Sequence, residues 1–443
     1  MKTPIVDFVR RYQESDMVRF HMPGHKGAGF LGCESFDITE IAGADELYDA
    51  RGIIAESERN AASLFGAGRT FYSTEGSSQC IRAMLRLAML RQTGGTPLIL
   101  AARNVHKAFV YGAALLGLEV RWLWPEKTNS LCSCRISPAR LENALAALPS
   151  PLAAVYVTSP DYLGGMADVQ GLAEVCHRHN TLLLVDNAHG AYLHFLEKPL
   201  HPLDLGADMC CDSAHKTLPV LTGGAYLHLS GRVSDELCGE ARQALALFGS
   251  TSPSYLTLCS LDRCNAYLAG AFRQELAEWT ALLDETRQTL RQNGWQVEES
   301  DPLRLTLRAP EKMTGVMLAQ RLREAGMECE YADGDHLVLM LTPQNRPEEL
   351  HRLIETLGRN ERPPKSPENL PLPKAKQEMS IREAMLRPQE RVPAEKSLGR
   401  VCGSPTVACP PAIPIAVSGE RIGPEAVTLL RRCGVESVEV VKE

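Results

Sequence analysis

Short apolar runs that alternate with helical patterns constrain this chain more than any other feature. Leu98–Ala101, Glu119–Leu123, Ala153–Thr158 and Thr181–Val185 read as strands, while Pro138–Leu148 and Leu172–His179 carry the spacing of helices between them. Strands of this kind, joined through helices, lie parallel and are covered on both faces. The expected architecture is therefore α/β with a mostly parallel central sheet. Sheets of this class take their ligands outside the carboxyl ends of their strands, which directs attention to the residues following each run.

Two such residues form a suggestive pair. Thr181-Leu182-Leu183-Leu184-Val185 delivers Asp186, and thirty positions later Asp212-Ser213-Ala214-His215-Lys216-Thr217-Leu218 lies between the apolar runs Ala207–Cys211 and Ala225–Leu229, the latter opened by Gly223 and Gly224. Lys216 is expected on a loop between two strands, where a partly desolvated amine can meet a bound carbonyl compound, the situation of a Schiff-base lysine. A lone lysine is usually a solvated one, so it is the carboxylate at a buried strand end that gives Lys216 its meaning. Pyridoxal phosphate requires an amine for its aldehyde, a carboxylate for its ring nitrogen and a cradle for its phosphate. Phe71–Thr74 reads as a strand that breaks at Glu75-Gly76-Ser77-Ser78 before a helical pattern from Ile81 to Leu90. A small-residue turn at a helix N-terminus binds phosphate, which makes Gly76, Ser77 and Ser78 the candidate cradle; serine as a plain N-cap is the competing role. His106, just after Leu98–Ala101 and before a helical segment ending at Leu116, belongs to the same sheet edge and can lie flat on an aromatic ring.

With 443 residues, 44% of them hydrophobic and 23% charged, the chain can bury a large core in two or three domains. We divide it into an N-terminal arm (1–50), a large cofactor-binding domain (51–295), a small α/β domain (296–360), a proline-rich linker (361–375) and a C-terminal domain (376–443). The arm carries the turn-rich Phe20-His21-Met22-Pro23-Gly24-His25-Lys26-Gly27 and acidic loops at Asp37–Glu40 and Gly43–Tyr48. The linker centres on Arg362–Pro367, and the last domain contains Ala408-Cys409-Pro410-Pro411-Ala412-Ile413-Pro414. A net charge of −7 without a basic stripe argues against nucleic-acid binding. No run of about 18 apolar residues and no export signal occurs, so neither membrane spanning nor secretion is expected. Fourteen scattered cysteines then imply reduced thiols in a cytoplasm. Cys132, Cys134, Cys210 and Cys211 lack a second ligand pair at zinc-site spacing and are read as structural, with no metal expected.

Taken in order, these motifs resemble the Orn/Lys/Arg decarboxylases, the bacterial basic amino acid decarboxylases of the aspartate aminotransferase-like fold type I. The likeness rests on Arg19-Phe20-His21-Met22-Pro23-Gly24-His25-Lys26, Asp37–Glu40, Gly76-Ser77-Ser78, Asp186-Asn187-Ala188-His189-Gly190-Ala191 and Ser213-Ala214-His215-Lys216-Thr217-Leu218. It continues through Ser250-Thr251-Ser252-Pro253-Ser254-Tyr255, Pro411-Ala412-Ile413-Pro414 and Gly419-Glu420-Arg421-Ile422. The resemblance implies that Lys216 carries pyridoxal phosphate as a Schiff base, Asp186 pairs with its ring nitrogen and His106 stacks on the ring. It further implies that Ser77, Ser78, Ser213 and His215 hold the phosphate and that His189 lies beside the cofactor. The loop with Thr251 and Ser252 would be offered to the partner's site in a homodimer. The implied activity is decarboxylation of arginine, lysine or ornithine in polyamine metabolism.

Asp161 stands where many members have threonine, and asparagine follows Asp186 where glutamate is common; neither departure touches the lysine. The chain also lacks the N-terminal wing of the large inducible enzymes, so it resembles the short form of the family. A basic substrate needs an acidic distal pocket, for which Asp45, Glu46, Asp161 and Glu330 are candidates. Two other readings stand beside the decarboxylase: another fold-type-I reaction such as transamination or elimination, since one cofactor constellation supports several bond cleavages, and a catalytically silent regulatory homologue.

Overall fold

The computed structural model describes residues 1–92, 94–125, 128–148, 152–366, 370, 374–405 and 411–443. Its centre is a seven-stranded sheet of β1 (Arg69–Ser73), β2 (Leu98–Ala102), β3 (Glu119–Leu123), β4 (Ala154–Thr158), β5 (Leu182–Asp186), β6 (Met209–Asp212) and β7 (Ala225–Leu229). The spatial order is β1-β7-β6-β5-β4-β2-β3, and β7 runs antiparallel to both its neighbours while the other described pairings are parallel. The mostly parallel α/β sheet expected from the sequence is therefore present.

Continuous apolar strands arise because both faces are covered. Ile99, Tyr156, Leu184 and Met209 pack beneath α3 (Ser77–Met89) and α4 (Lys107–Leu116), which follow α1 (Pro4–Gln13) and α2 (Ile53–Leu64) in the chain. Their sequence neighbours Leu100, Val155, Leu183 and Cys210 point the other way, onto α5 (Pro138–Ala146) and α6 (Val169–Arg178). Each fully buried Leu or Val contributes about 1.5–3 kcal/mol of hydrophobic stabilisation, which explains why period-two alternation is missing from the sequence.

Three expectations needed adjustment. Residues 4–13 of the arm form α1, whose Ile5, Val6 and Val9 are buried and whose first amides donate to Asp262 Oδ2, both at 3.0 Å. The long helical pattern before residue 293 is two helices, Tyr255–Leu268 and Phe272–Gln292. Lys216 sits in the short helical turn α7 (Ala214–Thr217) rather than in an open loop. Beyond the large sheet, a four-stranded sheet spans Gln296–Met340, and a two-stranded sheet joins Gln389–Pro393 to Ser437–Val441. Pro367 of the linker, and Ala408, Cys409 and Pro410, lie outside the described residues. No described helix is long and apolar enough to cross a membrane.

Candidate active site

The carboxyl ends of five strands converge on one cavity of about 330 Å³. β1 leads into Gly76, whose φ of +71° favours glycine, and Ser77 then starts α3 with no side-chain cap on its first amides. Gly223 approaches so closely that a Cβ there would lie 2.7 Å from the Thr74 carbonyl, and its own carbonyl accepts the Gly76 amide at 2.7 Å. β2 delivers Asn104 and His106, β4 ends at Thr158, β5 at Asp186, and β6 leads through Ser213 into α7 and Lys216. Ser213 Oγ donates to Ser77 Oγ at 2.7 Å, tying the β6 turn to the head of α3.

Burial shifts the titratable groups of the cavity. Lys216 Nζ lies 2.9 Å from His189 Nε2. Burial pushes the Lys216 amine below the ordinary lysine range, against the opposing pull of Asp186 and Glu330. Burial likewise depresses His189 well below the usual histidine value, and the Lys216 charge adds to it. His106 is pushed down to about 4, by burial first and then by Lys216. Its Nδ1 accepts the Ala108 amide at 3.1 Å, so it N-caps α4 while facing the cavity. Asp186 is fully enclosed, and burial raises its carboxyl although Lys216 draws it down. Its described partners are neutral: Tyr156 Oη at 3.2 Å, the Ala188 amide at 3.2 Å and Cys211 Sγ at 3.7 Å. A buried carboxylate with only neutral donors is stabilised by any cation placed before it.

A family profile described as Orn/Lys/Arg decarboxylase, major domain, matches residues 3–309. The chain belongs to this family. It is 31% identical over 457 residues to an arginine decarboxylase of Halalkalibacterium halodurans, covering 95% of this chain and 91% of that one. In structure it is similar to the Francisella novicida lysine decarboxylase LdcF, with a TM-score of 0.82, 16% identity, and 99% of this chain and 81% of that chain covered. A serine palmitoyltransferase solved with pyridoxal phosphate shares the fold at a TM-score of 0.56 and 15% identity, over 71% of this chain and 79% of the other. The architecture is that of the fold-type-I enzymes.

Most residues singled out in the sequence meet in the cavity expected of a decarboxylase of this family. Gly76, Ser77, Ser78, His106, Asp186, His189, Ser213, His215 and Lys216 all line it. Thr251 and Ser252 do not; both are exposed and lie outside this chain's cavity. Of the four acidic candidates, Glu330 alone lines the cavity, accepting the Tyr162 hydroxyl at 2.5 Å. Asp45 is corrected to a helix cap, since its Oδ2 takes the amides of Gly52 and Ile54 at 2.8 and 3.0 Å. Asp161 closes a turn by accepting the amides of Leu163 and Gly165, at 2.9 and 2.8 Å, and Glu46 is exposed away from the cavity. The sequence reading assigned no role to Asn104, Thr158 or Tyr162. The first two follow the same strand-end logic as Asp186 and were findable by it; Tyr162 gave no signal of its own. Thr158 Oγ1 and Asn104 Oδ1 are buried without partners, so the cavity wall holds spare polar atoms that suit a polar aromatic group such as pyridoxal phosphate.

Proposed function

We propose that this chain is a pyridoxal-phosphate-dependent decarboxylase of a basic L-amino acid, acting in the cytoplasm as a homodimer and supplying amines to polyamine metabolism. The observation that carries the reading is the buried Lys216 amine, 2.9 Å from His189 Nε2, in a cavity that also holds Asp186 and the serine-lined head of α3. When bound, pyridoxal phosphate supplies an electrophilic aldehyde and a ring that takes up the electron pair left as carbon dioxide departs. The amine of Lys216, pushed below the ordinary lysine range by burial, would hold the aldehyde carbon. Asp186 would pair with the ring nitrogen and favour its protonated form, and His106 would lie against the ring. The free amides of α3, with Ser77, Ser78, Ser213 and His215, hold the phosphate.

His189, neutral and hydrogen-bonded to Lys216, is placed to pass a proton to or from that amine, and the pair returns a proton to the substrate's α-carbon. Glu330 receives the cationic end of the substrate, exchanging or sharing its Tyr162 contact. The homodimer is supported by an exposed apolar arm, in which Phe20 is 93%, Phe30 88% and Leu31 89% accessible, and by Thr251 and Ser252, which are exposed and do not line their own chain's cavity. The test is product analysis: purified protein with pyridoxal phosphate is given arginine, lysine or ornithine, and carbon dioxide is recorded with agmatine, cadaverine or putrescine. Absence of all three products, while the visible band of lysine-bound cofactor is present, would remove the decarboxylase reading.

A further inference from the structure

The wall of the cavity is completed by a segment from the far end of the chain. Pro411, Ala412 and Ile413 line it, although they lie almost two hundred residues beyond Lys216. Their backbone is anchored without help from their side chains. The Lys107 amide, next to His106, donates to the Ala412 carbonyl at 2.9 Å. Arg103 donates from Nη1 to the Pro414 carbonyl at 2.9 Å and from Nη2 to the Ile415 carbonyl at 3.1 Å. The same guanidinium pairs with Glu420 at 3.2 Å, both groups being buried, and Glu420 in turn accepts the Val417 amide at 2.7 Å. Ile413 is consequently presented from a fixed frame, 8% exposed and packed with Cys132 and Tyr162.

Behind Ile413 lies a second cavity of about 500 Å³, between the four-stranded sheet and the C-terminal region. The two cavities share Cys132, Glu330, Pro411 and Ile413, so the partition between them is one side chain thick. Ile413 is its largest apolar member, and Glu330, the receptor for a cationic tail, stands in the same partition. Beyond it Val316, Ala319 and Leu429 offer apolar surroundings that accept methylene groups, beside the charged Arg323, Asp333, Asp335 and Arg432.

We propose that Ile413 is a specificity-determining residue that sets the maximum length of the substrate's side chain by closing the catalytic cavity against the second one. The inference rests on the proposed reading of the site as one for basic amino acids. A substrate held at Lys216 with its cation at Glu330 ends against Ile413. Truncating that side chain joins the two spaces while Arg103, Lys107 and Glu420 keep the backbone in place.

The test measures equilibrium binding of α,ω-diamines of roughly four to eight carbons to the holoenzyme by calorimetry, comparing wild type with Ile413→Ala and Ile413→Phe. Ile413→Val, one methyl group smaller, serves where alanine prevents folding. In wild type the affinity drops beyond a limiting length; Ile413→Ala restores about tenfold for the diamines past that limit, and Ile413→Phe moves the limit to shorter chains. A limit that stays where it is in every variant, including one in which all affinities fall together, overturns the proposal, as does a wild type that binds no diamine of any length. Failure of the decarboxylase reading looks different: wild type then binds diamines with a length limit yet releases no carbon dioxide from any basic amino acid.

Discussion

Asp186 and Asp212 end neighbouring strands, β5 and β6, and both are out of reach of solvent, at 2% and 0% exposure. Their surroundings differ completely. Asp212 is saturated: His201 Nε2 lies 3.0 Å from its Oδ2, His228 Nε2 lies 3.3 Å away, and the Asn187 amide donates to Oδ1 at 2.7 Å. Burial raises its carboxyl, but the two imidazoles outweigh burial and hold it well below the ordinary range. Asp186 has neutral partners only, and there burial wins. One carboxylate has two imidazole partners and an amide built in and serves the framework that carries Lys216. The other faces a cavity, with only neutral hydrogen-bond partners, and is left to be satisfied by what binds there. Burial alone therefore does not mark a working carboxylate; whether its partners saturate it does.

The comparison breaks most sharply if the lysine between these carboxylates can be dispensed with. Lys216→Ala should abolish carbon dioxide release and the visible band of bound cofactor while leaving the circular dichroism spectrum unchanged; retained turnover would overturn the site assignment. Asp186→Asn is expected to lower kcat by on the order of a hundredfold or more, the scale seen when one electrostatic partner of a reacting group is removed. Because its hydrogen-bond partners are neutral and burial works against its charge, its urea midpoint should stay near wild type. Asp212→Asn should do the reverse. It removes the charge and leaves one carbonyl oxygen for two imidazoles and an amide, at a cost of about 3 kcal/mol in folding stability, with the smaller effect on kcat. If the two variants lose stability and activity in the same proportion, the distinction between them fails.

How much of this was readable beforehand follows the same physics. Asp186, His106 and the Gly76 turn were legible because a parallel sheet converts a strand end into a position, and strand ends show in the apolar pattern. Ala225–Leu229 matched its strand residue for residue, since glycine bounds it. Asp45 could not be told from Glu330 among the acidic candidates because its partners, the amides opening α2, are supplied by a backbone turn and carry no residue code. Ile413 was invisible as a cavity residue, because its place depends on anchors at Arg103 and Lys107, more than three hundred positions away in sequence.

Glu330 offers a smaller test of the same rule. Its carboxylate accepts a hydroxyl from Tyr162, a neutral partner, which groups it with Asp186 on the ligand side. Glu330→Gln should raise KM for the preferred basic amino acid about tenfold, the scale of one charged hydrogen bond, with kcat little changed. A fall in kcat at constant KM would instead tie Glu330 to Lys216, whose amine it also influences.

Acid titration gives the smallest effect and sharpens the comparison from the histidine side. His106, His189 and His215 around the cavity are all pushed below the ordinary histidine range, with burial the leading cause in each. The folded state resists protonating them, so the unfolded chain binds more protons once the pH drops below the unperturbed value of about 6.5. Their contribution is complete above that value and is lost as pH falls, for His106 until its folded value near 4 is reached. Between about pH 7.5 and about pH 5.5, His106 alone should cost about 1 kcal/mol of stability. Urea unfolding of cofactor-free protein at the two pH values measures it, and His106→Gln should remove that share of the slope. An unchanged slope would mean that His106 titrates as an exposed histidine, and that the cavity around Asp186 is wetter than its neutral partners imply.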